Sequence, residues 1–175
     1  MRISCHPLWI TREISRAAAG SRRTRDFCSH SELFNEVHRW VSADWKALKK
    51  QGTPRALVTR LYEIVRDFLK AAEKVWGDAW GSAGYMITRP VTLKAMLRVC
   101  ADLAHVDAEP EEGRVKRWER KLSPWTAEVR TFRSEGFYER FPAKGQVERV
   151  ARIHRELGRV AGIAPVGRKA RAGEV

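Results

Sequence analysis

The sequence predicts an all-α protein, an irregular multi-helix single domain of about six helices with flexible basic segments at both ends. Apolar residues recur at three- and four-residue steps in several stretches, as they do in helices that bury one face. Proline and glycine stand where these stretches begin and end, which is typical of helix boundaries. With 175 residues and 43% hydrophobic content, the chain is long enough to bury one core.

The first helix is predicted to begin after Ser29, which forms a capping-box pattern with Glu32. Its apolar face comprises Leu33, Val37, Trp40, Val41, Trp45 and Leu48. Gly52 ends this helix, and Thr53 and Pro54 supply the N-cap and first residue of the next one. The second helix carries the clearest periodicity, over about 22 residues, so we expect it to be central. Its apolar positions are Leu57, Val58, Leu61, Ile64, Val65, Phe68, Leu69, Ala72 and Val75.

A glycine-rich turn separates the central helix from the helix that follows it. Trp76 and Trp80 flank this turn in the stretch VWGDAWGSAGYMITRP. Each indole can bury on the order of 200 Å², so we interpret both as core residues at a helix junction and not as ligand-stacking groups. Pro90 then opens a second buried helix, whose apolar positions are Leu93, Met96, Leu97, Val99, Cys100 and Leu103.

Three further segments complete the predicted domain. RVKRWERKL is a short helix with Trp118 inward, and Ser123 and Pro124 are predicted to cap and open a helix over WTAEVRTF. RSEGFYERFPAKG is predicted to be irregular. The last helix places these apolar residues on one face: Val147, Val150, Ile153, Leu157 and Val160. The predicted organisation is therefore a weakly ordered basic arm over 1–28, a helical domain over 29–160 and a flexible basic tail over 161–175.

The charge balance points to an anionic partner. Lys and Arg outnumber Asp and Glu by 34 to 21, which gives a formal net charge of +13. A positive field of this size attracts polyanions, with nucleic acid the leading partner and an anionic membrane surface the second. The alternative is a soluble basic protein whose charge serves no defined site.

The lack of a recognisable secretory or membrane signal in the sequence, together with the cysteine usage, predicts a cytoplasmic location. No apolar run reaches the length of about 20 residues that a membrane span needs, and the first residues have no secretory apolar region. An organelle transit peptide is an alternative for the arginine- and serine-rich start. Cys5, Cys28 and Cys100 form an odd set without framework spacing, as expected in a reducing compartment.

Three basic clusters are the candidate nucleic-acid contacts. They comprise Arg22, Arg23 and Arg25; Lys116, Arg117, Arg120 and Lys121; and Lys144, Arg149, Arg152, Arg155 and Arg159. Arginines three and four residues apart share one side of a helix, and guanidinium groups match phosphate oxygens, so the third cluster predicts a phosphate-binding stripe. The alternative is a solvated face with Glu148 and Glu156 as local partners.

Catalytic and cofactor motifs are absent from the sequence, so we predict neither enzymatic activity nor a cofactor. Cys5, His6, Cys28 and His30 are residue types that bind zinc, but their spacing is unusual, and we predict no metal site. A Cys–His pair from Cys100 and His105 is the enzymatic alternative, yet Cys100 lies on an apolar face and is predicted to be inert. His38, His105 and His154 are predicted to be ordinary surface histidines.

One stretch carries a family resemblance. LYEIVRDFLKAAEKVWGDAWGSAGYMITRPVTLKAMLRVCADL resembles the C-terminal helical region of DGQHR-domain proteins, which include the DNA-binding B component of DNA-phosphorothioation systems. EGFYERFPAKGQVERVARIHREL resembles the closing segment of that region, and the resemblance covers about residues 31–160. The DGQHR pentapeptide and the mixed α/β portion that carries it are absent, so the resemblance implies only support and DNA or partner contact.

The sequence thus predicts a helical, cytoplasmic, DNA-binding or regulatory protein, with a link to DNA phosphorothioation or phage defence implied by the resemblance. One alternative is a protein-interaction module or half-domain without independent activity, which would need an exposed apolar patch. The other is an enzyme, which would need a pocket with converging polar groups.

Overall fold

The computed structural model describes residues 35–37, 39, 54–107 and 109–166. Helix α1 spans Pro54–Trp76, α2 spans Pro90–Val106, α3 spans Arg114–Leu122, α4 spans Phe137–Arg140 and α5 spans Gln146–Val160. Two 3₁₀ helices lie at Gly77–Ala79 and Ser123–Phe132. The described ranges contain no strand, only an isolated bridge between Tyr85 and Arg133. The all-α prediction is confirmed.

Helices α1 and α2 begin at the prolines that the sequence predicts, and α1 ends at the glycine-rich turn. Proline occupies the first position of each, where its missing N–H costs no helical hydrogen bond. Gly77 and Gly81 have φ angles of 51° and 73°, which an L-residue rarely adopts, so the chain can reverse after α1. Of the predicted first helix, residues 35–37 and 39 are described and helical. Its remaining positions lie outside the described residues.

Two helix pairs form the body, because α1 packs mainly on α3 and α2 mainly on α5. The 3₁₀ helix Ser123–Phe132 lies between the pairs. Its Trp125 side chain is fully buried, and the indole N–H donates a 2.9 Å hydrogen bond to the Leu157 carbonyl of α5. The Thr126 hydroxyl donates to the Val75 carbonyl of α1 at 3.3 Å. This segment therefore connects the two pairs.

Aromatic side chains fill the centre of the core. Phe68 of α1 meets Trp118 and Trp125 edge to face at 6.1 and 6.2 Å between ring centroids. Trp76 stacks on Trp125 at 5.5 Å and is 2% exposed. Trp80 is partly buried against the same core. The core interpretation of both tryptophans at the glycine turn is confirmed.

Three local predictions are wrong. Residues 123–132 form a 3₁₀ helix and not an α-helix; Ser123 is no N-cap, because its hydroxyl donates to the Arg120 carbonyl of the preceding helix. The hydrogen bonds of Trp125 and Thr126 to two other helices hold the start of this tighter segment. The segment predicted to be irregular contains α4. Two residues predicted to lie on buried apolar faces are exposed, Val147 by 76% in the first turn of α5 and Val58 by 47% near the start of α1, because no described residue covers them.

The chain stays packed beyond α5. Ala161 and Ile163 follow the helix in what the sequence predicts to be the flexible tail, and both are buried. The Val166 backbone N–H donates to the Asp102 carboxylate at 2.9 Å. The packed part of the described chain therefore extends at least six residues past the predicted domain boundary at 160.

Candidate nucleic-acid interface

Helix α3 presents three basic side chains to solvent. Trp118 and Leu122 point into the core, and this leaves Lys116 and Arg120, four residues apart, on the outer side of the helix. Lys121 is exposed as well. None of the three basic side chains forms an ion pair with a described carboxylate. Their charges are therefore available to an external anion.

Helix α5 carries the predicted arginine stripe. Arg149, Arg152, Arg155 and Arg159 extend along one side of the helix over about 15 Å, from the rise of 1.5 Å per residue. Arg155 is exposed and has no ion pair among the described residues.

Two glutamates on the same helix neutralise part of the stripe. Arg159 binds Glu156 at 2.6 Å, and this hydrogen bond lowers the pKa of the Glu156 carboxyl below its usual value. Arg152 lies 3.9 Å from Glu148, a weaker contact. The four arginines therefore share one side of α5, but glutamates of the same helix compensate about half of their charge.

The side chain of Lys121, the last basic residue of α3, lies close to the turn that follows α5. Gly162, which follows α5, has a φ of 62°, and a Cβ placed there would lie 3.8 Å from the Lys121 Nζ atom. The ammonium group of Lys121 therefore adjoins the end of the α5 stripe. One member of the second predicted cluster, Lys121, is thus brought near the end of the third.

Two of the candidate arginines serve the fold instead. Arg117 holds the loop before α3: its guanidinium lies 3.2 Å from Asp107 Oδ2 and donates to the Pro110 and Glu112 carbonyls at 2.8 and 2.7 Å. Arg149 donates to the Phe141 and Ala143 carbonyls at 2.9 and 3.3 Å. These bonds hold the two guanidinium groups against backbone carbonyls, which leaves both side chains less available to phosphates than their exposed neighbours.

The remaining candidates lie elsewhere. Lys144 is exposed and unpaired among the described residues, at the N-terminal end of α5. The first cluster (Arg22, Arg23 and Arg25) and the zinc alternative (Cys5, His6, Cys28 and His30) lie outside the described residues, as does His38. Within the described ranges, no group of three or more His, Cys, Asp or Glu could hold a metal ion.

Cys100 is fully buried, and burial raises the pKa of its thiol well above the usual value. The thiolate is the nucleophilic form of cysteine, and burial disfavours it at this position. The predicted inertness of Cys100 is thus supported by its surroundings, whereas His105 is exposed at the end of α2.

A buried polar pair between α2 and α5 was not predicted. His154, expected on the surface, is largely buried, and its Nε2 atom lies 2.5 Å from Oδ2 of Asp102, which is 1% exposed. Burial, with the nearby guanidinium groups of Arg98 and Arg155, lowers the pKa of His154 to about 4. The lowered pKa favours the neutral imidazole, whose Nε2 N–H can donate to the Asp102 carboxylate.

This assignment predicts acid sensitivity. The histidine of the unfolded chain binds a proton near pH 6.5, whereas the folded chain resists protonation down to about pH 4. Between these values the unfolded state binds more protons, so the free energy of unfolding should fall as pH falls, by up to about 1.4 kcal/mol per pH unit. Urea denaturation of the parent and of His154→Gln, which keeps an N–H donor but cannot titrate, measures the effect. If the free energy of unfolding of the parent and of His154→Gln changes with pH in the same way between about pH 4 and pH 6.5, the predicted acid sensitivity of His154 is wrong.

Comparisons with known proteins identify no relative: no family model, curated protein or solved structure matches the chain. The resemblance to DGQHR-domain proteins therefore stays a hypothesis based on the residues quoted above. No helix in the described part of the chain is both long and apolar enough to cross a bilayer.

Proposed function

We propose that this protein binds nucleic acid, with DNA as the expected form, through phosphate contacts made by the joined basic surface of α3 and α5. This surface is defined by Lys116, Arg120, Lys121 and Arg155. The observation that carries the proposal is the position of Lys121 beside Gly162, which brings a basic residue of α3 to the C-terminal end of α5. All four side chains are exposed and lack carboxylate partners among the described residues.

Contacts of this type position a protein on the phosphate backbone without reading base sequence. A regulatory role in DNA phosphorothioation or phage defence, and a cytoplasmic location, belong to the same proposal and depend on the resemblance and on the composition. We propose no enzymatic activity. The competing idea of a protein-interaction module is weaker, because the described ranges expose few large apolar residues, and these belong to four different helices: Val58, Val106, Tyr138 and Val147.

Salt dependence tests the proposal. Each phosphate that a cation neutralises releases condensed counterions, so the slope of log K against log salt for duplex DNA is about −0.9 per contact. Lys116→Ala with Arg120→Ala should therefore flatten the slope by about 2 units. Both side chains are exposed, so the fold should be retained.

The matched control removes the same charge elsewhere. Arg55 and Arg60 are exposed near the start of α1, whereas α3 packs beside the later turns of α1, as the 3.1 Å Lys74–Glu119 contact shows. Arg55→Ala with Arg60→Ala should leave the slope close to the parent value. If both pairs change the slope equally, the interaction is a diffuse effect of net charge, and the defined surface does not exist.

A further inference from the structure

An exposed tyrosine is fixed at the opposite end of the arginine stripe. Tyr138 in α4 is 57% exposed, although Phe137 and Phe141 on the same short segment are buried. The Arg140 guanidinium donates to the Thr131, Arg133 and Glu135 carbonyls at 2.6–2.7 Å and ties α4 to the preceding loop. The backbone that carries Tyr138 is therefore held in place from both sides.

A cation is fixed against this ring. The Arg149 guanidinium carbon lies 4.8 Å from the Tyr138 ring centroid, and the Phe141 and Ala143 carbonyls hold the guanidinium there. Ring and cation thus form a preorganised pair, and ordering them for a ligand costs little entropy. Lys144 comes directly after Ala143 in the chain. It is exposed, and its ammonium group has no ion pair among the described residues.

The chemistry of this pair selects its ligand. An exposed aromatic ring next to fixed positive charge is the arrangement with which proteins bind single strands, because every nucleobase has a face that can stack while the cations hold the phosphates. An apolar protein surface fits less well, since the described ranges expose only four large apolar residues, each on a different helix.

We infer that Tyr138, with Arg149 behind it, is a stacking site for an unpaired base of single-stranded nucleic acid whose backbone follows the α5 stripe. This inference rests on the proposed function, because the phosphate contacts supply most of the affinity. It adds that the protein distinguishes strands with accessible bases from strands without them.

The test compares a short oligothymidylate with an abasic strand of the same length, which keeps the phosphates but has no bases. The parent should bind oligothymidylate about 10-fold or more tightly than the abasic strand, the range expected for one stacked base. Tyr138→Ala should abolish this preference without changing the salt slope, whereas Tyr138→Phe should retain it. Val147→Ala, a neighbouring exposed residue without a ring, is the control and should behave like the parent.

The outcomes separate the two proposals. Equal binding of both strands by the parent, with the salt slope intact, would overturn the stacking site and leave the phosphate surface standing. A preference that persists in Tyr138→Ala would likewise exclude this residue as the platform. If the parent binds neither strand nor duplex, the proposed function fails and the stacking site fails with it.

Discussion

Replacing Phe68 with Ala should destabilise the protein by about 3–5 kcal/mol, the usual cost of truncating a buried aromatic residue. Phe68 is fully buried and meets Trp118 of α3 and Trp125 of the long 3₁₀ helix, so the cavity would open where three elements join. The two large indoles are themselves fixed by other contacts. The surroundings can therefore collapse only partly into the space that the ring leaves.

Thermal unfolding measures this loss, since each kcal/mol lowers the melting temperature of a chain of this size by about 2–4 °C. Val58→Ala on the same helix is the control, because Val58 is 47% exposed and its truncation should change stability by about 0.5 kcal/mol or less. A Phe68→Ala protein as stable as the control would show that α1 is not the central helix of the domain.

The second large effect is expected from Asp67→Ala. The Asp67 carboxylate lies 3.3 Å from a guanidinium nitrogen of Arg114, whose side chain is 7% exposed. Arg114 also lies over the Trp118 ring, so it cannot move to solvent without disturbing the core. Removing the carboxylate leaves a buried cation without its buried partner, and such changes cost about 3–5 kcal/mol.

Glu111→Ala provides a matched control for this charge. Glu111 contacts the same arginine at 3.4 Å but is 58% exposed, so its removal should cost about 1 kcal/mol or less. Urea denaturation of the two variants compares a buried and an exposed partner of one guanidinium. Similar losses for both would contradict the assignment of the Asp67–Arg114 pair as the buried ionic contact between α1 and α3.

The helical framework was predictable because it depends on local signals. Proline at the first position and a sustained 3.6-residue period identified the first residue of α1 and of α2, and the glycine-rich turn identified the end of α1. The segment from Ser123 was misassigned because the difference between 3₁₀ and α-helix there depends on hydrogen bonds to two distant helices. A sequence window that contains Trp125 does not reveal that its indole binds the Leu157 carbonyl.

The candidate interface was predictable in composition but not in detail. Sequence spacing grouped Lys116 with Arg120 correctly. It could not show that Arg117, which lies between them, donates hydrogen bonds to backbone carbonyls of the loop before α3, because spacing along a helix does not reveal such contacts. The His154–Asp102 pair was missed, although a signal existed. Asp102 interrupts the apolar run of α2, and His154 lies four residues after Val150 and three before Leu157 on the buried side of α5.

Lysine footprinting tests the proposed binding surface most directly. Acetylation of surface lysines, read by mass spectrometry, is compared with and without a saturating short duplex DNA. Lys116 and Lys121 should be strongly protected by the DNA, whereas Lys70, exposed on α1, should react as it does in the unbound protein. Unchanged reactivity of Lys116 and Lys121 in the bound protein would contradict the proposal that the joined surface of α3 and α5 contacts nucleic acid.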